Sequence, residues 1–162
     1  MREKTYYTER PEAYEISDAA PNGEITVYLR ENIEEAGSGA PDYAAFQADE
    51  YEIKTFDTPS LAARVAENFS AWLARAKEDD YAREAKKIRA KRNELLSESD
   101  KELCIDRLGL TAPTGNTFEE WLPFLSQLGT VLAEDTAAYR QALRDIPEQE
   151  GFPYDVVFPE KP

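Results

Sequence analysis

The side chains in this sequence that could do chemistry are almost all carboxylates. Of 162 residues 33 are Asp or Glu, none is His, and Cys104 is the one thiol. Lack of an imidazole removes the commonest general base at neutral pH, the usual serine and cysteine triads, and nearly every zinc site. A lone cysteine rules out a thiolate metal cluster and an internal disulfide, and it fits a reducing compartment. No GxxxxGK loop and no GxGxxG occurs, and Gly37-Ser38-Gly39 runs directly into Ala40 and Pro41. The acids also lack the spacing of an EF-hand loop. Neighbouring carboxylates at Asp49-Glu50, Asp79-Asp80 and Glu119-Glu120 are what general acid–base chemistry would have to use. In a chain this acidic such neighbours arise by chance, and they read as solvated surface. The expectation is a protein that is no enzyme and binds no metal and no organic cofactor.

The acids outnumber 19 Lys and Arg, giving a net charge of −14 and a pI near 4.5. Phosphate contacts supply most non-specific affinity for DNA, so nucleic acid is disfavoured as a partner. An anionic membrane surface is disfavoured for the same reason. The opening MREKTYYTER has no apolar h-region, and no stretch approaches the roughly 18 apolar residues of a membrane span. In a bacterial setting these features mean the cytoplasm. With 41% hydrophobic residues and 2 Trp, 9 Tyr and 7 Phe, the chain has the means to build a core. At this length it can bury about 70% of the surface its unfolded form exposes without disulfides.

Residues 1–56 carry β patterning. The segments Thr5–Thr8, Ala13–Ser17, Glu24–Arg30 and Glu50–Phe56 are rich in Tyr, Ile, Val and Thr. Ile25, Val27 and Leu29 alternate with Thr26, Tyr28 and Arg30, and Tyr51 and Ile53 alternate with Glu52 and Lys54. Pro21-Asn22-Gly23 marks a turn, and the stretch 34–41 a loop. A small antiparallel sheet of three or four strands follows.

At Thr58 the period changes to helical. Thr58 has the chemistry of an N-cap and Pro59 suits a first turn. Leu61, Val65, Phe69, Trp72, Leu73 and Ala76 then recur at helical spacing, and the pattern resumes from Tyr81 to Leu95-Leu96. This predicts one long helix over 60–97, with any break placed near Glu78–Asp80. Between Lys77 and Glu94, 12 of 18 positions are charged, and ion pairs such as Asp79 with Arg83 are expected to lace the surface. A short helix over Asp100–Leu108 ending at Gly109 is expected next. Thr117 and Glu120 then form a capping box for a helix that carries Trp121 and runs through Tyr139 and Leu143 to Pro147. The last residues, rich in aromatics and proline, read as an extended strap. The fold class is therefore α+β: an N-terminal antiparallel sheet, a long helix, and a C-terminal helical region with an extended tail.

Two segments carry a resemblance. One is Arg89-Ala-Lys-Arg92-Asn93-Glu-Leu95-Leu96-Ser-Glu-Ser-Asp100. The other is Tyr139-Arg140-Gln-Ala-Leu143-Arg144-Asp-Ile146-Pro147, followed by Gly151-Phe152-Pro153 and Phe158-Pro159. Together they resemble the C-terminal module of phage tail assembly chaperone proteins. Lys101 stands where that family usually has Trp, Phe158 stands in place of a tail Trp, and about 35 residues separate the two halves. The resemblance implies a domain plan of a β region over 1–57 and a helical region over 58–162. The module would occupy 89–100 and 136–162, interrupted by an insert at about 101–135.

The resemblance implies a phage or prophage protein that works in tail or tail-fibre assembly by binding a structural protein, and that could form a homo-oligomer. Residues expected to define the module or touch a partner are Arg89, Arg92, Trp121, Tyr139, Arg140, Leu143, Arg144, Phe152 and Phe158. Two other readings stand beside it. The charge would suit a phage-encoded acidic inhibitor of host defence that mimics DNA or binds directly, although the basic Arg83–Arg92 run interrupts any acidic stripe. The protein could also be a tail component retained in the virion.

Overall fold

A computed structural model describes residues 3–102, 110–132 and 135–162. Four strands, β1 (Thr5–Tyr7), β2 (Tyr14–Ile16), β3 (Glu24–Glu35) and β4 (Phe46–Phe56), form one antiparallel sheet in the order β1-β4-β3-β2. Helices α1 (Leu61–Glu67), α2 (Phe69–Glu102), α3 (Phe118–Leu132) and α4 (Asp135–Arg144) follow, then a single 3-10 turn, Ile146–Glu148. The molecule is α+β, as the change of period at Thr58 predicts. It divides into two compact units, 1–84 and 85–162, with the division falling inside α2.

In the first unit the β3–β4 hairpin is the spine. Val27 faces Ile53 and Leu29 faces Tyr51 across it, while Tyr14 and Ile16 of β2 sit opposite Leu29 and Val27. Ile25, Val27 and Leu29 are buried with Ile53 against Leu61 and Val65 of α1 and Ala76 of α2. Phe69, Trp72 and Leu73 close the layer from the helix side. Alternation on the strands and helical spacing on α1–α2 thus converge on one core. The turn before β3 follows its dipeptide: Gly23 takes φ 79°, where a Cβ would be strained, and donates to Ala20 O at 2.8 Å. Both long strands exceed their expected bounds, because pairing continues past a bulge between Glu31 and Glu34, where Asn32 has φ 50°.

The helical region departs from expectation in three places. Thr58 does not cap a helix; its carbonyl accepts from Leu61 N at 2.9 Å, closing a turn with Pro59 at the second position. The break in the long helix lies at Asn68, not near Asp80. Asn68 donates both its backbone N–H and its side-chain amide to Arg64 O, each at 3.2 Å, so the side chain competes for the carbonyl that would continue the helix. Arg83 pairs with Asp80 at 2.8 Å and with Glu52 at 3.3 Å, and Asp79 instead lies 3.8 Å from Arg75. The short helix expected over 100–108 lies largely outside the described residues, and Asp100 to Glu102 belong to α2.

In the second unit Tyr139, Leu143 and Ile146 are buried against Ile88, Leu95 and Leu96 of α2. Phe152, Val156 and Phe158 complete this cluster from the strap. The capping box forms: Thr117 Oγ1 donates to Glu120 Oε2 at 2.8 Å, and Glu120 N donates back to Thr117 Oγ1 at 3.4 Å.

Candidate protein-interaction surfaces

The expected partner-binding residues fall into three settings in the second unit. Arg140 spans two elements, donating to Asp100 Oδ1 at 2.6 Å and to the buried Ser99 Oγ at 3.1 Å. Tyr139 and Leu143, on the neighbouring face of α4, are buried. These three join α4 to the end of α2 and leave little side chain for a partner. Arg144, one turn on, is exposed.

The strap is held from one side by cations and from within by a clasp. The Arg89 guanidinium lies 5.3 Å from the centre of the Phe152 ring, and Lys91 Nζ lies 4.4 Å from that of Phe158. Part of the basic run of α2 is therefore spent on the chain's own aromatics. Arg92 donates to the neighbouring Asn93 Oδ1 at 2.9 and 3.1 Å. Gln149 uses its side-chain amide as a strand would use its backbone, donating to Val157 O and accepting from Val157 N, both at 2.8 Å. Within that loop Tyr154 N and Asp155 N both donate to Gly151 O, at 2.9 and 2.7 Å. A Cβ on Gly151 would lie 2.1 Å from Asp155 O, so only glycine fits the turn.

Trp121 is apart from this group. Its indole Nε1 donates to Gly115 O at 2.8 Å and its ring meets Phe124 edge-on at 5.7 Å. On the same helix Phe118, Leu122 and Leu125 are exposed at 72, 52 and 47%. Pro123 sits in the early turns of α3 without ending it.

This arrangement of α2, α4 and strap coincides with the outcome of comparison with known families. Residues 85–162 match the family model of phage tail assembly chaperone protein. The match takes in both resembling segments, 89–100 and 139–159, together with the residues between them. It covers the second unit from its first residue. No curated protein and no solved structure matches the chain. The family match supports a role in phage tail assembly. No helix among the described residues is long and apolar enough to cross a membrane.

A buried charge centre in the first unit has no counterpart among the expected site residues. Arg30, 6% exposed, donates from Nε to Glu50 Oε2 at 2.7 Å and Tyr7 Oη at 2.9 Å, and from Nη2 to Glu15 Oε2 at 2.7 Å. Burial alone would favour loss of its proton, but the hydrogen bonds it donates to Glu15, Glu50 and Tyr7 outweigh it and hold the guanidinium pKa above its ordinary value. Tyr7 donates to Glu50 at 2.6 Å, and burial together with that carboxylate pushes its pKa up to about 12. Periodicity puts Arg30 on the polar face of β3; no sequence signal marks it as the centre of a network. Every strong donor in the centre already has an acceptor inside the fold, so its chemistry is that of a fastening between β1, β2, β3 and β4.

Proposed function

We propose that the protein acts in tail or tail-fibre assembly by binding a structural protein of the phage, without catalysis and without a cofactor. The observation that carries this reading is the family match over the whole second unit, 85–162, combined with a closed core in that unit. The described residues contain no group of three or more His, Cys, Asp or Glu placed to hold a metal ion. Within the proposal, residues 89–100 and 136–162 form the module and the segment at about 101–135 is an insertion into it. The partner is a phage tail or tail-fibre protein, met in the host cytoplasm.

Charge distribution favours a second reading enough to require a discriminating test. Residues 1–84 hold 19 acids and 9 bases, net −10, whereas 85–162 hold 14 and 10, net −4. A concentration of negative charge in the half outside the family match is what an inhibitor mimicking DNA would use. A third reading keeps the protein in the virion as a tail component. Affinity purification of the tagged chain from infected cells separates them. Tail or tail-fibre protein as the principal partner supports assembly, a host nuclease in its place sinks it, and recovery of the chain from purified virions identifies a tail component.

A further inference from the structure

The edge of the sheet opposite β3 is only partly closed. β4 pairs with β3 from Phe46 to Phe56, but among the described residues β1 covers its other edge only at Phe46, Gln47 and Ala48. Towards Phe56 the strand borders a groove of about 500 Å³, whose walls are Ile53, Lys54 and Thr55 on one side and α1–α2 on the other. The helix wall crosses the α1–α2 junction, with Arg64 on α1, Asn68 at the interruption, and Trp72 and Arg75 on α2.

Three features of this groove point the same way. Unpaired strand edges present backbone N–H and C=O groups in alternation, the template onto which an extended chain adds as a further strand. Trp72, half-buried against the core, offers a ring to the groove, and its indole N–H has no hydrogen-bond acceptor among the described residues. The charged residues lining the groove are all cations, in a chain of net charge −14. They are loosely held: Lys54 is 3.8 Å from Glu24, Arg75 is 3.8 Å from Asp79, and Arg64 has no ion-pair partner among the described residues. A basic trough in a unit of net charge −10 is selective, because the acidic residues that dominate residues 1–84 repel acidic chains from the rest of that unit.

The geometry points to this groove as the docking site for an extended, acidic segment of a partner protein, which pairs with β4 around Ile53–Phe56 and sets its carboxylates against Lys54, Arg64 and Arg75. A second copy of the chain is a poorer fit, since strand-to-strand pairing across a two-fold axis would bring the three cations towards their own copies. That the partner is a tail protein rests on the function proposed above; the chemistry of the groove does not.

The test uses the full chain, isotopically labelled, and a blocked heptapeptide alternating valine with aspartate and glutamate. Chemical shifts should move at residues 53–56 and at the Trp72 indole, and exchange of the edge amides should slow. The double change Arg64→Glu, Arg75→Glu should weaken binding by about tenfold, as expected for two exposed attractions turned to repulsions. Arg64→Lys with Arg75→Lys should retain most of it, and both variants should keep the wild-type thermal midpoint. The proposal is overturned if isosteric asparagine–glutamine or lysine peptides bind as well, if shifts map elsewhere, if the edge pairs with a second copy, or if nothing responds at about 1 mM peptide. Tail protein captured equally by wild-type and charge-reversed chains would sink the groove and leave the assembly role standing. A responding groove with no tail protein captured by the wild type would do the opposite.

Discussion

At Tyr7 a single phenol links β1 and β4 to the buried Arg30 of β3. The phenol donates to Glu50 at 2.6 Å and accepts from Arg30 at 2.9 Å, and its pKa rises from 10.0 to about 12. The folded state therefore holds this proton more tightly than the unfolded chain does. Its contribution is complete below pH 10 and fades as pH climbs towards 12. Tyr7→Phe should destabilise the protein at pH 8 by about 1–2 kcal/mol, the scale of a hydrogen bond to a charged group. The gap between variant and wild type should narrow above pH 10 in denaturant titrations; a gap constant to pH 12 would contradict the linkage. Gly151 makes a second residue-scale prediction. Gly151→Ala places a Cβ 2.1 Å from a backbone oxygen that cannot swing aside, so a loss of about 1–3 kcal/mol is expected by chemical denaturation. Gly37→Ala, with nothing within 4 Å, is the matched control and should change little.

Among the elements, the strap packs where its aromatics predict, although residues 150–154 form turns closed on Gly151 O and not extended chain. Phe152, Val156 and Phe158 are costly to order unless their side chains pack, and they do pack, against Tyr139, Leu143 and the Ile88–Leu96 face. Phe152→Ala should cost roughly 2–3 kcal/mol, below the 3–5 of a fully buried ring because Phe152 stays partly exposed. Removing 148–162 should lower the thermal midpoint; a truncated chain as stable as the whole would make the strap a ligand and not a wall. Sequence alone exposes the strand faces through Ile25, Val27 and Leu29, because period-2 alternation is a local signal. It conceals the start of β4 at Phe46, since Phe46, Gln47 and Ala48 become strand by pairing with β1, 39 to 43 residues away, and with Glu34 and Glu35 beyond the bulge. The interruption at Asn68 is hidden too: a side-chain amide bonding to Arg64 O is one option among several for an Asn at helical spacing. Of the expected partner-binding residues, Tyr139 and Leu143 were legible as an apolar stripe, whereas the use of Arg89 and Lys91 on aromatic rings required the strap to be in place.

For the whole molecule, the uneven charge is the property most open to test. With a net charge of −14 the chain should not shift duplex DNA at physiological salt, and electrophoretic mobility of a labelled duplex checks this directly. Solubility should fall as pH approaches 4.5, where repulsion between copies vanishes, and light scattering across pH 4–8 would show the minimum. The two units also differ in how far along the chain their cores are assembled. The first core joins residues 25 to 76 and is complete once that stretch has been made. The second joins Ile88 to Phe158, so its apolar helix face has no partner until Tyr139 to Ile146 emerge and is not fully covered until Phe158 leaves the ribosome. At bacterial rates the 74 residues from 85 to 158 take roughly 4–15 s to translate. During synthesis the molecule therefore passes through an interval in which half of it is native and the other half is itself a nascent client. Arrested chains ending before residue 146 should show protease-resistant 1–84 with an accessible Leu95-Leu96 site, and chains reaching past Phe158 beyond the exit tunnel should lose that site.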